Sequence, residues 1–561
     1  RVKSTAGLFT DGEQALLPVI PSEQDVVESE MFYIAPGQDS FSIPLAAVDN
    51  GRAYLKFTEN PAWEVVSALP GLRESAINSS IEAASAIFSA AVAEGLMHDY
   101  PEIARALRKW RDNPSDSVLT SQLEKNEELK SILLSSTPWV SDALNQTERM
   151  QRLVLLLDGR NTARVIDRGV ADLAKNVASE GGWSWTSQYP EVSPWCTARV
   201  LDMFGDLNRL GWLPENGKLN TMIENALTYY DRVAARDFSK YPKGDYSTYC
   251  YTRSKFPSVK QSTAAANVTR ATVQRIIAGW KNHSVVTKGV DAIILNANGY
   301  NATARQILES LRQYATVTPE KGMWWQQLEN TSAYSMDKVG CTAIILDAFA
   351  LTDPGNPAID QIRQWLVLEK TNTDWGNAVI TSQVVSSILT SGKKWTVNPA
   401  GTAIRIGDKL LTPAKEESAT GAFTEQITDM LSQPATLTID RQGDYPSFGA
   451  VVTMRRVDMD EISAVGCAEL KITKRMSVFN GREWVPATAF KVGDRVKVTL
   501  ILEADADMDY VVIQDHRAAG LEPVSQLPGS IWSEGLCFYS EPRDSQTNIL
   551  SLIHISEPTR P

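Results

Sequence analysis

At 561 residues and 61.8 kDa the chain is longer than one hydrophobic core supports, so several domains are expected. Its 67 acidic against 55 basic residues give a net charge of −12, with no run of like charge, which argues against nucleic-acid and other polyanion partners. Five scattered cysteines (Cys196, Cys250, Cys341, Cys467, Cys537) form neither a disulfide framework nor a zinc signature, and four scattered histidines offer little to a metal site or a catalytic triad. No apolar run reaches the roughly 18 residues of a membrane span.

The first 57 residues are strand-like, with "VVESEMFYIA", "FSIPLA" and "RAYLKF" broken by Pro, Gly and Asp. From Ala62 to Trp395 the pattern becomes helix after helix, about a dozen in all, including 161–178, 194–210, 215–235, 343–351 and 378–389. In the stretch Ala68–Ala93, Ile77, Ile81, Ala84, Phe88 and Ala91 recur every three or four residues and predict an amphipathic helix with one buried face. Ser79 and Glu82, three apart at its start, have the spacing of a capping box. From Thr402 onward strands return, among them "TAIRIGDKLL", "ATLTID", "GAVVTMRRV", "ELKITKRMSVF" and "RVKVTLILEA". Three short N-terminal strands make no stable sheet alone, so they are expected to pair with strands after Trp395, leaving the helical block as an insertion.

That block repeats internally. "GGWSW" (181–185) precedes "CTARVLDMF" (196–204), and "KGMWW" (321–325) precedes "CTAIILDAF" (341–349); a weaker copy, "TDWGN", precedes "AVITSQVVSSIL". Helix pairs joined by Trp-rich loops suggest an α/α toroid, in which each hairpin buries its face against its neighbours. The tryptophans are read first as loop plugs and second as a stacking platform for a ligand. Cys196 and Cys341 are read as small buried thiols.

"YLKFTENPAWEVVSALPGL" (54–72), the two Trp loops and "DMDYVVIQDHRAAGLEPV" (507–524) together resemble the C-terminal part of bacterial alpha-2-macroglobulin-like proteins. The resemblance implies a terpenoid-cyclase-like toroid of about six hairpins inserted into a β-domain, followed by a macroglobulin-like β-sandwich. By it, residues 1–57 are the first half of a split CUB-like domain, 58–395 the thioester-domain-like toroid and 396–460 the second half. Residues 461–550 are then a truncated macroglobulin or receptor-binding-like sandwich, and 551–561 ("SLIHISEPTRP") resemble a translated sequencing adapter, a non-native tail. In the family, the turn before the helix carries Cys-x-Glu-Gln, whose thiol and glutamine form an internal thioester. The matching positions here are Ser79, Ser80, Ile81 and Glu82, so the reactive pair is absent. A hydroxyl without an activating base is a far weaker nucleophile than a thiol, and a carboxylate offers no ammonia leaving group.

Other candidates carry less. Ser79 and Ser80 lack the Gly-x-Ser-x-Gly context of a hydrolase nucleophile. Glu503, Asp505, Asp507 and Asp509 alternate like a calcium loop, but Tyr510 stands where the turn needs Gly, so a solvated strand face is expected. Asp374 beside Trp375 is a candidate glycosidase acid that would need a second carboxylate. No phosphate-binding loop, cofactor or metal site is expected. The chain starts Arg-Val-Lys with no signal peptide and is read as a fragment.

The resemblance implies a thioester-lacking endopeptidase inhibitor, not an enzyme, that entraps proteases non-covalently. Its expected place is the periplasm or the cell surface, with membrane contact only through an N-terminal lipoprotein anchor outside this sequence. The alternatives are a carbohydrate-active α/α toroid, marked by paired carboxylates under exposed tryptophans where the inhibitor reading expects a closed apolar plug, and a purely structural scaffold.

Overall fold

The computed structural model describes residues 2–6, 9–13, 23–48, 51–58, 65, 68–73, 79–99, 159–319, 321–328, 336–370, 375–392, 402–411, 423–441, 446–458, 470–504, 511–518, 520–525, 527–533, 536–542 and 546–551. The chain forms two compact units, residues 28–453 and residues 1–27 with 454–561. The division at 27/28 and 453/454 falls inside two strands, Glu23–Ile34 and Ser447–Asp458, that pair in one sheet; both are described with the larger unit.

In the larger unit, strands from before and after the helical block share two antiparallel sheets. β3 (Glu23–Ile34), β4 (Ser40–Leu45) and β5 (Gly51–Thr58) precede the block; β10 (Ala403–Ile406), β11 (Lys409–Leu411), β12 (Phe423–Gln426), β13 (Ala435–Asp440) and β14 (Ser447–Asp458) follow it. The sheet orders are β11-β10-β13-β4 and β12-β5-β14-β3. Leu45 pairs with Ala435 and Ser40 with Asp440, while Phe57 pairs with Phe423 and Tyr54 with Gln426. Ala53, Leu55 and Phe57 point inward at period two and join Ile34, Ile404, Ile427, Leu437 and Ile439 in one core. The buried guanidinium of Arg441 ties the two halves, donating to Gln38 O (3.0 Å), Ser447 Oγ (2.7 Å) and Ala35 O. A core of two four-stranded sheets therefore depends on both chain segments, and the helical block is an insertion.

The block itself is a ring. Its inner helices are α1 (Ser80–Asp99), α3 (Pro194–Leu210), α5 (Ser247–Ser254), α7 (Val285–Ala297), α9 (Lys338–Thr352) and α11 (Ala378–Ser391). Each packs on the next, and α11 closes back on α1. The outer helices α2 (Gly159–Lys175), α4 (Gly217–Lys240), α6 (Thr263–Gly279), α8 (Asn301–Tyr314) and α10 (Ala358–Leu368) lie against them. This is the α/α toroid, with two short hairpins in its loops, β6 (Ser184–Thr186) with β7 (Tyr189–Val192) and β8 (Thr316–Thr318) with β9 (Gly322–Trp324). The inner helices α3, α9 and α11 start at side-chain caps, Ser193, Asp337 and Asn377, whereas α5 has none.

One expectation needs correction. α1 is buried on nearly every side, Ile87, Phe88, Ala90 and Val92 included, because an inner helix has neighbours all round. It begins at Ser80, and Ile77 lies outside the described residues. Long and apolar enough to cross a membrane, it is the one such helix among the described residues and is mostly buried within the toroid.

The smaller unit contains the hairpin β1 (Val2–Ala6) with β2 (Phe9–Glu13) and two antiparallel sheets. One has the order β16-β15-β17, from Trp484–Pro486, Leu470–Phe479 and Val496–Ala504. The other has the order β18-β21-β20-β19, from Val512–His516, Gln546–Ser551, Leu536–Pro542 and Gly529–Ser533. Ser551 ends β21 opposite Phe538, and residues 552–561 of the expected tail lie outside the described residues.

Candidate functional site

Two places in the toroid gather polar chemistry: the turn into α1 and the hub between the inner helices.

At the turn, Leu69–Arg73 forms a short 3-10 helix and Ser79 precedes α1. The amide of Ser79 donates to Glu82 Oε2 at 3.1 Å, and the amide of Glu82 donates to Ser79 Oγ at 3.2 Å. This is a reciprocal capping box. The serines spaced along α1 serve the same segment: Ser85 Oγ donates to Leu72 O (2.8 Å) and Ser89 Oγ to Leu69 O (2.7 Å), fastening the 3-10 turn to the helix. Ser80 Oγ donates to Ser184 O at 2.7 Å, across to the "GGWSW" loop. Cys196 approaches the same carbonyl, Sγ to O 3.6 Å. Burial pushes its thiol up to about 12, against a smaller opposing effect of Ser80, so it is held as the neutral thiol. The three described histidines are engaged elsewhere: His98 with Asp99, His283 with Asp291, and His516 beside Asp515 and Lys474.

The Trp loops divide by role. Trp183, Trp325 and Trp375 are buried plugs. The amide of Trp183 donates to Thr197 Oγ1 (2.9 Å) and that of Trp375 to Thr381 Oγ1 (3.3 Å), so Thr anchors Trp in the first and third loops, while Thr342 of the second donates to Lys338 O (2.8 Å). Trp325 and Trp375 each send Nε1 to a carbonyl of the preceding outer helix, Leu311 O (2.9 Å) and Leu366 O (2.6 Å). Trp185 and Trp195 instead stack on each other, centroids 5.1 Å apart, and both are exposed. Cys196 and Cys341 are buried, as expected for packing residues.

The hub corrects a second expectation, for it is charged where an apolar plug was expected. Arg199 meets Asp202 (2.8 Å), Lys255 meets Asp206 (2.8 Å) and Arg209 meets Asp347 (3.0 Å), all nearly removed from solvent. Thr252 Oγ1 donates to Asp202 (2.8 Å), and Gln383 Nε2 donates to Asp347 (3.1 Å) while its Oε1 accepts from Tyr251 (3.1 Å). The network joins α3, α5, α9 and α11. Burial pushes the Asp206 carboxyl up to about 6, Lys255 and Arg209 opposing and Asp347 reinforcing the shift. Asp202 and Asp347 occupy the same place in the two nonamers, Cys-Thr-Ala-x-x-Leu-Asp. An acid recurring after the same Cys-Thr-Ala-x-x-Leu run in two buried helices was the signal for the hub, legible but not read as a site.

Among the described residues no three His, Cys, Asp or Glu side chains form a group that could hold a metal. Glu503 is exposed and pairs with Lys471 at 3.4 Å, on a solvated strand. Asp505, Asp507, Asp509 and Asp374 lie outside the described residues.

The family description bMG10, the bacterial alpha-2-macroglobulin MG10 domain, matches residues 470–552. The chain is similar to bacterial alpha-2-macroglobulins in their C-terminal portion. Among solved structures, native Escherichia coli alpha-2-macroglobulin is 12% identical, with a TM-score of 0.39, over 95% of this chain and 30% of that one. Salmonella alpha-2-macroglobulin reacted with methylamine is 14% identical, with a TM-score of 0.40, over 95% and 31%. Trypsin-activated alpha-2-macroglobulin from Escherichia coli is 12% identical, with a TM-score of 0.45, over 95% and 33%. The chain thus spans about a third of the length of these alpha-2-macroglobulins. No curated protein matches it.

Proposed function

We propose that this chain is part of an alpha-2-macroglobulin-like protease-binding protein of the bacterial cell envelope that holds its target without a covalent bond. Ser79 and Glu82 stand for the thioester pair in this reading, and the observation that carries it is their mutual capping. An atom that caps a backbone amide 3.2 Å away is committed to the helix start, and no thiol–glutamine ring exists to be opened by an incoming amine. The chain has no catalytic role in this account. The carbohydrate-active alternative loses ground at the hub, because Asp206 and Asp347 are buried against Lys255 and Arg209, where no sugar and water could reach between them.

Trypsin, which activates the Escherichia coli relative, is the probe. The chain is incubated with trypsin and separately with methylamine, then examined by native size exclusion and by intact mass under denaturing conditions. Co-elution with trypsin that vanishes on denaturation, with no methylamine adduct, is the expected result. A trypsin conjugate that survives denaturation, or an adduct mapped to Ser79–Glu82, overturns non-covalent holding; absence of co-elution overturns protease binding.

A further inference from the structure

The sheet β16-β15-β17 has two unlike faces. Lys474 donates to Asp515 and to the carbonyl of His516 (3.0 Å), both on β18 of the second sheet, so the residues that alternate with it along β15 turn the other way. Cross-strand partners share a face, and this outer one reads in rows: Arg475 opposite Thr499, Ser477 opposite Lys497, then Phe479 between Trp484 and Arg495. The Arg495 guanidinium lies 5.8 Å from the centre of the Phe479 ring, which stands 5.3 Å from that of Trp484. Arg475, Arg495 and Lys497 are exposed and have no acid partner among the described residues. Trp484 is 40% exposed, and Val492, in the loop that leads into Arg495, is fully exposed between Lys491 and Gly493. Residues 470–504 hold seven Lys or Arg against three Asp or Glu, a local +4 that leaves the rest of the chain at −16.

We propose that this face docks on an anionic phospholipid surface, with Arg475, Arg495 and Lys497 against the headgroups and Trp484 and Val492 at the headgroup boundary. Charge and chemistry select this occupant. The three cations spread over successive rows of one sheet face, where a layer of headgroups meets all of them at once. An indole beside a guanidinium suits the interfacial zone, wet on one side and apolar on the other, and a bare valine at a loop tip has a use there that an acidic protein partner would not give it. At physiological salt the field of an exposed charge fades within about 8 Å, so the acidic remainder of the chain does not cancel the attraction of a face in contact. Its charge instead sets the orientation, because other approaches bring like charge to the membrane.

Co-sedimentation of the 561-residue chain with lipid vesicles tests this. Phosphatidylcholine vesicles containing phosphatidylglycerol are expected to carry the chain down, and vesicles of phosphatidylcholine alone are not. Raising the salt to about 1 M, where screening shortens to about 3 Å, should release most of the bound chain. Arg475→Glu combined with Lys497→Glu should weaken binding at least about tenfold. By contrast Lys218→Glu combined with Lys240→Glu, the same change in net charge at exposed positions of α4, should bind as the wild type does. Circular dichroism of each variant checks that folding is unchanged. A wild type that stays in solution with both vesicles, including one that captures polyglutamate instead, overturns the proposal, as do equal binding to the two lipids and normal binding by the folded Arg475→Glu, Lys497→Glu variant.

Discussion

Ser79 and Glu82 cap each other: each backbone amide donates to the other's side chain, at 3.1 and 3.2 Å, at the mouth of a helix that closes the toroid. The pair satisfies two of the amides that a helix start leaves without partners. Because Ser79 is itself buried, water cannot replace the lost bond. Ser79→Ala should lower stability by about 1 kcal/mol, read as a denaturation midpoint, and leave trypsin co-elution intact. Lost co-elution at unchanged stability would assign the hydroxyl a functional role.

The hub predicts a larger effect. Asp347 accepts from Arg209 and Gln383 and is itself shielded from solvent. Removing it leaves the Arg209 guanidinium with Asp206, 3.9 Å away, as its remaining acid, and breaking a buried pair on one side costs about 3–5 kcal/mol. Asp347→Ala should therefore unfold the toroid far more readily than Ser79→Ala does, in urea titrations followed by circular dichroism. A loss under about 1 kcal/mol would mean that the pair is solvated.

Asp206 gives the hub a pH dependence of definite sign. Its folded carboxyl is raised to about 6, above the ordinary carboxylate value of 3.8, with burial the leading cause. The folded state then binds the proton more tightly than the unfolded chain, so this group's contribution is full below about pH 4 and is lost as pH rises through about 6. Thermal midpoints of the wild type relative to Asp206→Asn should rise as pH falls from 7 toward 4, since the amide does not titrate. A difference that is flat or falls over that window contradicts the assignment.

Gly95 faces the indole of Trp212, and a Cβ there would lie 2.2 Å from the ring. Trp212 is also anchored through Nε1 to Asp99 at 2.8 Å, so it cannot simply swing away. Gly95→Ala should cost about 1–3 kcal/mol by overpacking, although alanine favours the helix. A stabilised variant would show that the ring has room to move.

The split sheets make a prediction about chain segments. Without the N-terminal segment β13 loses β4, β12 loses β5, and β14 loses β5 and β3, so a 402–550 fragment exposes four unsatisfied strand edges. It should aggregate alone and become soluble when residues 23–58 are added in trans, as measured by size exclusion. A cooperative fold of the shorter fragment that gains nothing from the added peptide would count against the shared core.

What the sequence determined by itself was local and periodic. The helix Pro194–Leu210 and the strand Ala435–Asp440 fall where their patterns put them, because caps and alternation act over a few residues. The repeat of Trp loops and Cys-Thr-Ala helices implied the toroid, and the spacing of Ser79 and Glu82 implied their capping box, since a reciprocal bond three residues apart needs nothing from the rest of the chain. Tertiary structure decided what depends on partners distant in sequence. That α1 is buried all round follows from α11 closing the ring against it, which no periodicity in α1 encodes. Arg209 and Asp347 lie 138 positions apart, and their 3.0 Å contact exists only because α3 and α9 face one hub. An acid inside an apolar helix has to be paired or pay for desolvation, but which cation meets it is fixed by the packing of the helices and not by the order of the residues.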